Sequence, residues 1–166
     1  MKLLSATVFL TRFCDWLNRQ ISTLTAIILF FMLILAGSAV FFRYVLGDAL
    51  NWMEDVILPA FVWMGLLGTS IAFRLKGHIR VDSLMKLIPI KAREQINRLT
   101  KLTIIAFSIY LTIQGIKVVY ATKSMPWGVL QLPPTYFYVA FPISFFIISI
   151  YGIDDFLKGI REPDQT

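Results

Sequence analysis

One cysteine, Cys14, and one histidine, His78, stand among 166 residues, and this scarcity removes most side-chain chemistry at once. A single thiol cannot form an internal disulfide, a CxxC redox pair or a multi-cysteine metal site. A single imidazole cannot supply both axial ligands of a haem held by two histidines of one chain. Neither an enzymatic role nor a cofactor or metal is therefore expected. The other ionisable residues of interest fall in two short stretches. Asn51, Glu54 and Asp55 follow Arg43, Tyr44 and Trp52, and Arg74 precedes His78 by four positions. Asn51 with Glu54 three residues on can cap a helix, whose positive end also favours Glu54 and Asp55. The same residues, with Arg43 and Trp52, can instead meet a partner. Arg74 and His78 admit the corresponding two readings at the other end of that helix.

The elements that position these residues follow from composition. With 57% apolar or aromatic residues and 16% charged, the chain cannot supply the polar surface that a soluble domain of its length needs. Its mean hydropathy is +0.71, and its apolar residues lie in long blocks, so it belongs in a lipid bilayer. Four membrane-spanning helices are expected: about 20–42, 52–73, 101–122 and 135–153. The first contains 23 charge-free residues, enough to cross about 30 Å of hydrocarbon. The third must accommodate Lys117, whose long stem can snorkel toward the headgroups. Ser124–Ile153 carries no charge, but Pro126, Pro133 and Pro134 mark its first part as a re-entrant or surface loop.

Lysine and arginine set the orientation, with thirteen on the side of both termini and three (Arg43, Lys117 and Lys123) on the other. Both termini are therefore expected in the cytoplasm. The net charge of +6 is a topology signal, and no nucleic-acid partner is expected. A cleaved leader is not expected either, because only eight uncharged residues separate Lys2 from Thr11-Arg12 and no convincing small-x-small site follows. Phe9, Phe13, Trp16 and Leu17 recur instead at helical spacing, as in an amphipathic lead-in at the inner surface. Val81, Leu84, Met85 and Ile88 repeat that pattern, with Asp82 placed to cap it, and Ala92, Ile96 and Leu99 continue it beyond Pro89. An interfacial segment over about 79–99 is expected, with Lys86, Lys91, Arg93 and Arg98 meeting lipid headgroups. The alternative is a solvated basic connector. The chain is thus read as one all-α membrane domain over 1–166, with no internal repeat.

Inside the spans the polar residues are modest. Ser38, Thr69, Ser70, Ser108, Thr112, Gln114, Ser144 and Ser149 can bond to their own or a neighbouring backbone. No acidic residue lies deep in a span, which argues against a transport pathway in this chain alone. On helix 2, Gly65 with Thr69 and Gly68 with Ala72 form small-xxx-small pairs that admit a close neighbour, within the bundle or from another subunit. Trp63 lies about 13 Å along that helix from Glu54, so its indole N–H needs an acceptor or a protein groove.

In order along the chain stand Phe42-Arg43-Tyr44, Asn51-Trp52-Met53-Glu54-Asp55, Trp63, Gly68, Ala72-Phe73-Arg74, Gly77-His78-Ile79, Val81-Asp82 and Pro89. This constellation resembles the small membrane subunit of tripartite ATP-independent periplasmic (TRAP) transporters, over roughly residues 20–153. Gln131-Leu132-Pro133 and Pro142 are similar to that family's fourth-helix region. Asn51 and Asp55 depart mildly, standing where Ser and Glu are common. The resemblance implies an accessory subunit in the bacterial inner membrane that anchors a large, multi-span transport subunit carrying the sodium and substrate sites. It also implies a periplasmic binding protein that delivers an organic acid, such as sialic acid or a C4-dicarboxylate. Some members fuse small and large subunits; this chain ends in the polar tail Arg161–Thr166 and is expected to be separate. The rival is a self-sufficient four-helix transporter acting as a homodimer, which needs a membrane-embedded glutamate that helix 1 lacks. A redox anchor subunit is disfavoured by the single Cys and His.

Overall fold

The computed structural model describes the backbone of residues 2–48, 50–76 and 90–161, and the side chains of 7–48, 50–75 and 95–159. Helix α1 runs over Lys2–Phe41, α2 over Trp52–Lys76 and α3 over Ile90–Thr122. A single short turn of helix, α4, covers Thr135–Tyr138, and α5 covers Ala140–Arg161. Four of these are long and apolar enough to cross a membrane (the last counted as α4 with α5), and the described residues contain no strand beyond an isolated bridge between Trp127 and Leu132. The chain is an all-α, multi-pass membrane protein.

The amphipathic lead-in continues without a break into the first apolar run, because nothing between Arg12 and Phe41 interrupts a helix: there is no proline, and the one glycine, Gly37, is isolated. At 1.5 Å per residue the 40 residues of α1 are about 60 Å long, twice the thickness of the hydrocarbon layer. A π turn over Phe42–Leu46 ends it, and Gly47 closes the turn at φ 70° with its N–H on the Phe42 carbonyl. Likewise residues 90–99, the latter part of the segment read as interfacial, belong to the continuous helix α3. The earlier part, including Asp82 and Lys86, lies outside the described residues, as does His78 before it.

Within the spans, hydroxyls bond back to carbonyls one turn earlier. Thr25 to Ile21, Ser38 to Ile34, Thr69 to Gly65 and Ser108 to Ile104 lie between 2.7 and 2.9 Å. Hydrocarbon offers few other acceptors, so these four hydroxyls are satisfied inside their own helices. Cys14, Ile21, Leu67, Ile147 and Tyr151 form the buried core, between α1, α2 and α5, flanked by Leu17, Trp63, Phe73 and Ile150. Helix α3 packs on the other side of α5 through glycines. A Cβ at Gly115 would lie 2.8 Å from Phe141 Cδ1, and one at Gly152 would lie 2.9 Å from Ile105 Cγ1. Helix α5 is therefore the central element that every other span touches or approaches.

Candidate interface sites at the two ends of the bundle

At the end that carries Arg74, α5 continues past Ile153, where the charge-free run stops, and presents Asp154, Asp155 and Lys158 on helical turns. Asp154 is only 1% exposed. A buried carboxylate needs compensation, and three helices provide it. Arg74 of α2 donates from Nη1 to Asp154 Oδ2 at 2.5 Å, Thr11 of α1 donates to Oδ1 at 2.7 Å, and Lys158 lies 3.0 Å from Oδ2. The second arm of the guanidinium, Nη2, reaches Asp15 of α1 at 2.6 Å and approaches the Thr11 carbonyl at 3.5 Å. The face of the guanidinium stacks over the Tyr151 ring, 5.4 Å from its centroid. On the far side of α5, Lys101 of α3 binds Asp155 at 2.9 Å and also donates to its carbonyl at 3.0 Å.

Three cations thus meet three carboxylates, and all four spans are joined at this end. The planar fork of arginine is what permits the double bridge, since a lysine could not address Asp15 and Asp154 in fixed directions. Arg74 was singled out from the sequence, but Thr11, Asp15, Asp154 and Asp155 were not. A signal did exist. Acids embedded in a helix-end margin rich in Lys and Arg are placed for pairing, and Asp154 with Lys158 has i, i+4 spacing. Beside the cluster lies a cleft of about 380 Å³ bordered by Asn18, Phe73, Arg74 and Tyr151.

The opposite end carries the other conspicuous residues. Arg43, in the π turn, binds Glu54 in the first turn of α2 at 2.7 Å; both side chains are half exposed. Glu54 thus turns toward the π turn rather than back toward Asn51. Asp55, its neighbour, accepts the Leu130 N–H at 2.8 Å and so holds the loop between α3 and α4. Trp63 finds the acceptor its indole needs in the Tyr136 carbonyl at 2.8 Å. Trp127 stacks edge-on against Phe137, 5.3 Å between centroids. Tyr44 and Trp52 remain exposed.

Gly65 and Gly68 have no described atom within 4 Å of where a Cβ would stand, so they face away from the described bundle. Arg98 is exposed on α3. Lys91 and Arg93 belong to α3, their side chains lying outside the described residues, as do His78, Asp82 and Lys86 altogether.

Comparison with known proteins places this architecture. The profile of the DctQ component of tripartite ATP-independent periplasmic transporters matches residues 32–162, which includes Arg43, Glu54, Asp55, Arg74 and Asp154. The chain is 36% identical over 62 residues to the sialic acid TRAP transporter permease protein SiaT of Haemophilus influenzae, covering 37% of this chain and 10% of that one. It is 32% identical over 82 residues to the C4-dicarboxylate TRAP transporter small permease protein DctQ of Vibrio cholerae, covering 49% of this chain and 35% of that one. The matches thus span about a tenth and about a third of the lengths of these two curated relatives. With four spans bound together at one end by Arg74 and its carboxylates, and with a profile match over most of its length, the chain belongs to the DctQ component family of tripartite ATP-independent periplasmic transporters.

Proposed function

We propose that the protein is the small, non-catalytic permease subunit of a TRAP secondary transporter of the bacterial inner membrane. In this role it holds a large, multi-span transport subunit in place and moves no solute itself. The observation that carries the reading is the joining of all four spans through Arg74, Asp154 and Lys101, within a chain of the DctQ family. A transporter that works by sliding one domain past another needs a fixed frame, and cross-linked helices supply one. Wide apolar faces are left over for a neighbour: Phe30, Phe31 and Leu33 of α1 and Phe107, Tyr110 and Tyr120 of α3 are more than half exposed. Gly65 and Gly68 offer a place of close approach on α2.

Both termini lie in the cytoplasm in this reading, so the Arg43 end faces the periplasm, and the loops near Asp48–Trp52 and Trp127–Pro134 help dock a periplasmic binding protein. Lys86, Lys91, Arg93 and Arg98 rest against inner-leaflet headgroups. The cargo is an organic acid, in the class of the sialic acid and C4-dicarboxylate named for the two relatives, taken up with sodium. Reconstitution tests the assignment. Proteoliposomes holding this subunit alone should show no sodium-driven uptake, whereas those with the large subunit and the binding protein should. Uptake by the lone subunit would establish the rival, a self-sufficient homodimeric transporter.

A further inference from the structure

We infer that Asp55 is a latch that holds the loop over residues 123–134 in the single shape the Arg43 end presents; that this shape serves the binding protein rests on the docking role proposed above. Burial holds the loop only in part, at Pro134 and where Trp127 packs on Phe137, since Met125, Val129, Leu130 and Leu132 are all exposed. Polar contacts hold the exposed part. The Trp127 N–H donates to the Leu132 carbonyl at 3.1 Å and closes the hairpin. Inside it two residues adopt the left-handed region, Gly128 at φ 72° and Gln131 at φ 52°. A glutamine there is strained unless its surroundings dictate the conformation. Its side chain contributes by donating from Nε2 to the Gly128 carbonyl at 3.1 Å.

The remaining anchor comes from 75 residues away in sequence. Asp55 Oδ2 accepts the Leu130 N–H, and both carboxylate oxygens lie where a Cβ on residue 128 would stand. Gly128 is therefore required twice, for its positive φ and for the seat it leaves open. A charge-assisted bond from carboxylate to backbone N–H is about twice as strong as a neutral one. A loop ordered before its partner arrives lowers the entropy lost on binding. The Trp63 bond to Tyr136 fixes the far side of the same segment, so Asp55 governs the hairpin and Trp63 its exit.

The test uses the complete transporter in proteoliposomes with its binding protein, comparing Asp55→Ala, Asp55→Asn, Gly128→Ala and the double variant Asp55→Ala/Gly128→Ala. Co-purification of each with the large subunit controls for folding. Amide exchange over residues 128–132 should quicken about tenfold in Asp55→Ala and Gly128→Ala. The concentration of loaded binding protein needed for half-maximal uptake should rise by a similar factor while the maximal rate stays unchanged. Asp55→Asn retains an acceptor oxygen without the charge and should fall between wild type and Asp55→Ala, and the double variant should be no worse than Gly128→Ala alone. Unchanged exchange in Asp55→Ala would overturn the latch. So would Asp55→Asn proving as damaging as Asp55→Ala, since the carboxylate would then serve the α2 dipole alone. Quickened exchange with an unchanged binding-protein requirement would uphold the latch and refute the docking role.

Discussion

Arg74 and Arg43 show how far burial separates two arginines that look alike in sequence. The side chain of Arg74 is 11% exposed and that of its partner Asp154 is 1% exposed, whereas Arg43 and Glu54 are 50% and 59% exposed. An exposed pair gives back in side-chain entropy and solvation most of what it gains in attraction. A buried pair that loses one member leaves the other charged and out of water. Asp154→Ala should therefore destabilise the detergent-solubilised subunit by about 3–5 kcal/mol, and Glu54→Ala by less than about 1 kcal/mol. Thermal unfolding of the two variants measures the difference, and equal losses would refute the assigned burial. Replacing Arg74 with Lys should also be costly, because one ammonium cannot bridge Asp15 and Asp154 in the directions the fork supplies.

Two kinds of glycine lie on the helices, and they should respond differently to the same change. Gly115 and Gly152 sit in the seam between α3 and α5, against Phe141, Pro142 and Ile105. Gly115→Leu should force that seam apart at a cost of about 1–3 kcal/mol or more and should lower the stability of the isolated subunit. Gly68 meets no described atom within 4 Å. Gly68→Leu should leave the isolated subunit as stable as wild type but reduce the amount that co-purifies with the large subunit. Undiminished co-purification would remove the glycine face of α2 from that interface. The contrast is instructive because small-xxx-small spacing directs attention to α2, while the observed close approach uses single glycines on α3 and α5.

For the whole molecule, the orientation makes a decisive expectation. Reporter fusions after Asp48 and near Trp127 should read as periplasmic, and fusions after Lys91 and Thr166 as cytoplasmic. A periplasmic signal at Lys91 would invert every surface assigned here, the Asp55 loop included. With that orientation, the ion-pair network lies at the cytoplasmic end, and all four spans are held there by charge. The periplasmic end is held by the Arg43–Glu54 pair, the Asp55 latch and the Trp63 bond.

Helix number and the all-α class were legible in the residues alone. Lipid makes them so: a chain in hydrocarbon must satisfy its backbone within each helix, so apolar length translates directly into a span. The ordered motifs from Phe42 to Pro89 likewise pointed to the family. What lay beyond local pattern was the pairing between remote segments. Arg74 meets Asp15 across 59 positions and Asp154 across 80, and Asp55 meets Leu130 across 75. Such meetings depend on how each helix is rotated and offset against its neighbours. That geometry is decided by packing around Tyr151, Leu67 and Gly115 together. The charge-free run ends at Ile153, and so the expected fourth span stopped there, one residue short of Asp154. Only the tertiary structure shows α5 carrying its carboxylates back into the bundle, because only the positions of Arg74 and Thr11 make a buried charge at 154 tolerable.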